Sequence, residues 1–341
     1  MTVFACATCD APLTVSLSRV ALPDHAGQKY GRGLLGVLME PGTYAERPAP
    51  VGRPWRRGAE AAADDRHVFV TLREGPVDTV AVAPGDTRNT VLIPGRLDGD
   101  CCGLDGANGS NIACAGCRTP VATRIDDCGH WQVTWLDVRA TRRIPERADT
   151  DPPTDWAVLR MRRTGLRLVE EPWGWHPLWE AAAGVALAHV LAASDGHPVT
   201  VPDGPVADVF RRSLETLLRA DRKPRSLTLA GPGLPPTEGD LALVPRHPET
   251  GEVWRPAGPA VAVPLSYEAW HGLSFPQDRP LLAGAGVIPP EITGRERLPC
   301  GPFRPDGRLC GARLARLAEV RRPWLREIYE RYQPLWLADP F

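Results

Sequence analysis

Two short motifs, Cys6-Ala-Thr-Cys9 and Cys114-Ala-Gly-Cys117, constrain the fold more than anything else in this chain. Each is set like a zinc knuckle. Phe4-Ala5 leads into the first and Asn111-Ile112-Ala113 into the second, and each is followed by two residues, a proline and an apolar stretch. Four thiolates delivered by two such turns make a closed tetrahedral Zn²⁺ site. The ligand set is then Cys6, Cys9, Cys114 and Cys117, with Zn as a structural cofactor. Two other readings stand beside it. The cysteines can be inert thiols packed in a core, or a redox dithiol. The redox reading is disfavoured because neither pair sits at the start of a predicted helix, where the helix dipole lowers a thiol pKa.

On these knuckles the first 140 residues or so resemble the β-tent group of zinc domains, the methionine sulfoxide reductase B, Yippee and cereblon thalidomide-binding types. The resemblance implies two antiparallel sheets above one Zn²⁺, held by Cys6 and Cys9 with Cys114 and Cys117. It does not carry the reductase activity, because the chain has no match to the catalytic Arg-Tyr-Cys-x-Asn segment. The 104 residues between the knuckles (positions 10–113) exceed what the group needs and require a large insertion. The cereblon-like pocket is a cage of aromatic rings, which here would fall to Trp131 and Trp135, joined by Trp55. Trp131 and Trp135 lie four apart in one predicted strand, so they share a face. The same spacing suits two tryptophans packing the core of a sheet.

The 341 residues allow two domains. The predicted class is α+β: a mostly β zinc domain over 1–148, with an insertion near 40–65, then an α+β domain over 154–341 with a helical C-terminus. In the first domain His67–Leu72, Val77–Ala83, Thr90–Ile93, Val121–Ile125 and Trp131–Val138 read as strands, punctuated by Gly/Pro turns. Glu40–Asp65, rich in Pro, Gly and Arg, reads as a long loop. In the second domain Pro177–Ser194 reads as a helix, with proline in its first turn and Asp195-Gly196 at its exit. Pro205–Ala220 is amphipathic, with Val206, Val209, Phe210, Leu214, Leu217 and Leu218 on one face. Strands are expected at Val199–Val201, Ser226–Ala230, Leu241–Val244 and Val261–Leu265, and helices at Arg308–Val320 and Trp324–Tyr332.

Net charge is −1, so there is no global pull on nucleic acid or membrane. Only Lys29 and Lys223 are lysine, so 38 of the 40 basic residues are arginine. With many Ala, Gly and Pro, this looks like the codon bias of a high-GC, actinobacterial genome. Arg-rich stretches therefore carry little functional weight. Met1–Asp10 lacks the basic start and apolar run of a signal peptide. Leu178–Ala193 is interrupted by Glu180 and His189 and falls short of the ~20 apolar residues of a membrane span. The expectation is a soluble, cytoplasmic protein, in which clustered cysteine is metal-binding or catalytic and not disulfide-bonded.

The first functional expectation is a zinc-scaffolded binding or interaction protein, its partner an unidentified protein, peptide or small molecule. An enzyme is the second, with Asp126, Asp127, Cys128 and His130 as reactive groups in a cleft between domains. Against it stands a plain turn with a free thiol. The third is nucleic-acid binding by Gly301–Gln333, which has eight Arg against four acidic residues. There a solvated helix face is the default. Cys101, Cys102 and Cys128 lie near the second knuckle, and any of them can replace a ligand or start a second site; Cys300 with Cys310 forms a looser pair. Asp98–Gly103 begins like a calcium loop but has Gly109 where the closing Glu is needed. Ser194, Asp195 and His197 crowd together as a helix exit does, not as a triad. His176 sits among Trp173, Trp175 and Trp179, a patch that suits an aromatic core or a stacked ligand.

Overall fold

The structure, a computed structural model, describes residues 1–31, 33–47, 78–97, 103–146, 152–161, 169–170, 174–275 and 303–337. The strand expected over His67–Leu72 lies outside the described residues, as do Trp55, Cys101, Cys102, Trp173 and Cys300. The chain divides into two units, Met1–Pro153 with Pro248–Gly251, and Thr154–His247 with Glu252–Phe341. Strands concentrate in the N-terminal half. The six α-helices among the described residues all fall after residue 153, so the class is α+β.

The first unit holds β1 (Thr2–Cys6), β2 (Ser18–Arg19), β3 (Thr43–Arg47), β4 (Thr79–Val82), β5 (Thr90–Leu92), β6 (Ile112–Cys114), β7 (Pro120–Ile125), β8 (Val133–Asp137) and β9 (Thr141–Pro145). β1 and β9 form an antiparallel ribbon, and the other seven make one sheet in the order β2-β3-β4-β8-β7-β6-β5. Its pairs are antiparallel apart from β2 with β3.

Side chains alternate across a strand, and here both faces of the sheet are covered. Val80 and Val82 of β4 and Leu136 of β8 point into one cluster with Phe4, Cys6, Leu13, Leu17, Tyr44 and Cys114. Ala81, Ala83, Val133 and Trp135 point into the other, with Leu38, Met39 and Ala45. A register shift between β6 and β7 lets the adjacent Val121 and Ala122 both reach the first cluster. Such a bulge bends its strand and disrupts the ladder locally, here just before Cys114.

The loop expected over Glu40–Asp65 is corrected at its start, because Thr43–Arg47 is a strand of the main sheet. Tyr44 and Ala45 alternate between the two clusters, and the Arg47 guanidinium stacks on the Trp135 ring at 5.3 Å. The Pro/Gly/Arg-rich composition of the longer window hid this five-residue alternation.

The second unit carries α1 (Trp156–Met161), β10 (Val169–Glu170), β11 (Gly174–Trp175), α2 (Pro177–Ser194), β12 (Val199–Thr200), α3 (Pro205–Leu217), β13 (Arg225–Leu229), β14 (Leu241–Arg246), β15 (Val261–Ser266), α4 (Tyr267–Ser274), α5 (Gly307–Leu314) and α6 (Pro323–Leu337). β12 to β15 lie side by side in chain order, all parallel. α3 buries Val209, Phe210, Leu214 and Leu217 of the predicted face together with Ala207, while Val206 is half-buried and Leu218, also buried, is the C-cap.

The helix expected over Arg308–Val320 stops at Leu314 and is followed by a 3-10 turn at Ala318–Arg321. α4 was not anticipated, because it starts on the residue after β15 with no turn signal between them. By length and composition alone α2 is apolar enough to cross a membrane, yet most of it is buried within the protein. Its small residues permit that. A Cβ on Gly184 would lie 2.3 Å from the backbone oxygen of Asp306, the N-cap of α5.

Candidate metal centre

The knuckles share one backbone geometry. In the first, Cys6 N–H donates to Ala11 O (2.9 Å) and Asp10 N–H donates back to Cys6 O (3.0 Å). In the second, Cys114 N–H donates to Thr119 O (2.9 Å) and Arg118 N–H to Cys114 O (2.9 Å). The residue after each second cysteine adopts positive φ, 60° at Asp10 and 63° at Arg118. That conformation costs a non-glycine residue about 1–2 kcal/mol, so each turn is held by its surroundings. Ala7 N–H is tied to Ala140 O (2.9 Å) and Ala115 N–H to Asn89 O (2.8 Å). Asn89 Nδ2 donates to Pro12 O (2.8 Å), and the Thr119 hydroxyl reaches the Thr8 hydroxyl at 3.2 Å, so polar contacts bridge the two knuckles.

These turns bring four sulfurs together from opposite ends of the first unit. The Sγ atoms of Cys6, Cys9, Cys114 and Cys117 all lie within 4.8 Å of one another. Between the knuckles, Cys6 lies 3.5 Å from Cys117 and Cys9 lies 3.6 Å from Cys114. Zn–S bonds of about 2.3 Å in a tetrahedron place sulfurs about 3.8 Å apart, so the spacing is of the order at which four sulfurs can hold a metal ion. Cys6 and Cys114 are buried, Cys117 is half-buried and Cys9 is exposed. All-sulfur donors favour zinc or another thiophilic ion over hard cations such as Ca²⁺ and Mg²⁺.

The thiols are electrostatically unequal. The Thr119 hydroxyl and backbone N–H stabilise the Cys117 thiolate and bring its pKa down to about 6. At Cys9 the Ala11 N–H acts downward, but the crowding thiols of Cys117 and Cys114 outweigh it and push the value up to about 12. A cation placed among the four sulfurs would remove that mutual penalty.

The other sequence candidates among the described residues are not part of this four-sulfur group. Among the described residues no other group of three or more His, Cys, Asp or Glu side chains converges as a metal site would. Asp126 pairs with Arg124 (2.8 Å). Asp127 is buried and its Oδ1 accepts from Cys128 N–H (2.9 Å), while His130 Nδ1 lies 3.1 Å from Cys128 O. Asp127 and His130 thus make backbone contacts within the turn, while Asp126 pairs with a side chain.

Trp135 is 1% exposed in the second core cluster, and Trp131 packs at its edge with Nε1 donating to Gln28 Oε1 (3.2 Å) and its ring against His25. Burial raises the Cys310 thiol pKa. Ser194 hydrogen-bonds Leu191 O (2.7 Å), Asp195 is left-handed (φ 53°) and His197 Nδ1 meets Lys223 O, so the trio is the exit of α2. His176 is the α2 N-cap, its Nδ1 accepting from Leu178 N–H. In the arginine-rich C-terminal stretch, Arg322 pairs with Asp195, Arg326 with Glu330 and Arg331 with Glu327.

Sequence reasoning missed the polar groups that tie the knuckles together, Thr8, Asn89 and Thr119. Nothing local marks Asn89, which lies 25 residues before Cys114. Comparison of the chain with family models, curated proteins and solved structures finds no match, so the four-cysteine cluster stands on its own geometry.

Proposed function

We propose that the first unit is a zinc-scaffolded binding or interaction domain of β-tent-like build, with one structural Zn²⁺ held by Cys6, Cys9, Cys114 and Cys117. The convergence of these four sulfurs within 4.8 Å carries the reading. When bound, the ion supplies a cross-link between the end of β1, in the two-stranded ribbon, and the end of β6, in the main sheet. Four protein sulfurs close the coordination shell, which suits a structural role; catalytic zinc keeps an open position. The residues at the knuckle tips, Ala7, Thr8, Ala115 and Gly116, are small and exposed, and leave room for a protein, peptide or small-molecule partner to approach. A cytoplasmic setting, where thiols stay reduced, belongs to the same reading.

Elemental analysis of the purified full chain tests it. About one zinc per chain is expected by the site's ligand count. Cys6→Ser should lose the metal and Cys128→Ser should keep it. Full zinc in Cys6→Ser would overturn the ligand assignment.

A further inference from the structure

Resting on the zinc reading above, we propose that the metal centre is also a peroxide-sensitive switch. Oxidation forms two disulfides between the knuckles, Cys6–Cys117 and Cys9–Cys114, and expels the zinc. The pairing follows from the geometry. Two sulfur separations that cross from one knuckle to the other are already short, 3.5 Å for Cys6–Cys117 and 3.6 Å for Cys9–Cys114. Each of these pairs joins a buried cysteine, Cys6 or Cys114, to a more accessible one, Cys117 or Cys9. The buried members end strands β1 and β6, whereas the accessible ones sit in the following turns. A turn sulfur therefore has only to close about 1.5 Å to reach a disulfide length of about 2.05 Å.

The chemistry is that of a thiolate and its resolving partner. The accessible sulfur attacks one oxygen of hydrogen peroxide. An S–O bond forms, the O–O bond breaks, and the departing hydroxide takes a proton to become water. The buried thiolate of the opposite knuckle then attacks the sulfenic sulfur, forming the S–S bond and expelling a second hydroxide, which also becomes water. For the whole centre, four thiolates, two peroxides and four protons give two disulfides and four waters. No sulfur ligand remains anionic, so Zn²⁺ leaves. The two new bonds link the same strands that the metal linked, so the sheet arrangement survives zinc loss in the oxidised state.

The test starts from the full chain as purified, with its zinc measured. A chain without zinc overturns the zinc reading and the switch with it. Excess hydrogen peroxide should release all of the bound zinc, read with a chromogenic chelator. A non-reducing tryptic map should then join the peptide 1–19 to the peptide 97–118, with fragmentation placing the bonds at Cys6–Cys117 and Cys9–Cys114. Dithiothreitol with added zinc should restore the metal. The oxidised, zinc-free chain should keep the circular dichroism of the native protein, while the reduced chain stripped with a chelator loses part of it. A zinc-loaded chain that retains its metal under peroxide overturns the switch alone. So do bonds found within a knuckle, Cys6–Cys9 or Cys114–Cys117.

Discussion

Replacing Cys114 by serine separates a metal ligand from a packed thiol by the size of its effect. Cys114 is fully buried at the end of β6, in a cluster with Ile112, Val121 and Leu136. If it were only a core thiol, serine would leave a buried hydroxyl in its place, a cost of about 1–3 kcal/mol. In a unit of this size that lowers the melting temperature by roughly 3–10 °C. If it is one of four zinc ligands, the loss is of another order. Structural zinc contributes about 10–16 kcal/mol of apparent binding free energy in small zinc domains. The net stability of a whole domain is only about 5–15 kcal/mol.

Losing the ion therefore removes as much free energy as the first unit has to lose, and that unit should unfold or turn molten at 25 °C. Hydrogen exchange on the full chain reads this directly. The amides of Cys6 and of the residue at 114, donors to Ala11 O and Thr119 O in the native protein, should lose protection in Cys114→Ser. The amides of β14 serve as the internal reference. A variant that keeps these amides protected and melts within about 10 °C of the parent would refute the metal argument in favour of the packed-thiol reading.

Zinc affinity should rise with pH for a reason that can be signed. Cys9, with a pKa near 12, is protonated at neutral pH and must release a proton to bind, so competition titrations should show at least about a tenfold gain per pH unit between pH 6.5 and 8.5. Cys117, with a pKa near 6, adds a second proton only below that value, where the slope should steepen; a flat profile would contradict both assignments. Gly184→Ala should destabilise the second unit by about 1–3 kcal/mol in chemical denaturation, because its Cβ meets the Asp306 backbone and overpacking outweighs helix propensity; a stabilised variant would show that α5 yields freely. Trp270→Phe, which deletes the buried Nε1–H bond to Ala230 O (2.9 Å), should cost about 1–3 kcal/mol by the same measurement, and an unchanged midpoint would show the bond to be dispensable.

Much of this protein was legible in its sequence because the signals were local. The helix over Pro177–Ser194 shows its proline start and its Asp195-Gly196 exit within one window, and α3 shows its apolar face by periodicity alone. The two cysteine pairs were legible because each Cys-x-x-Cys motif carries its own spacing within a few residues. Where local patterns were short or unmarked, reading failed. β3 hides in a Pro/Gly/Arg-rich stretch, and α4 begins where β15 ends.

The sequence by itself determined four cysteines in two matching Cys-x-x-Cys motifs, an α+β order of elements and a net charge of −1. Only the tertiary structure decided that the turns meet. Cys6 ends β1, whose partner β9 lies at the far end of the unit's sequence, and Cys114 ends β6, which pairs with β5 as well as with its near neighbour β7; the β1–β9 and β5–β6 partners share no short window. The structure also placed Trp135 inside the core and Asn89 between the knuckles, since burial and hydrogen bonding depend on neighbours distant in the chain. Spacing along a chain can mark a pair of cysteines, but the folded sheet decides which sulfurs meet.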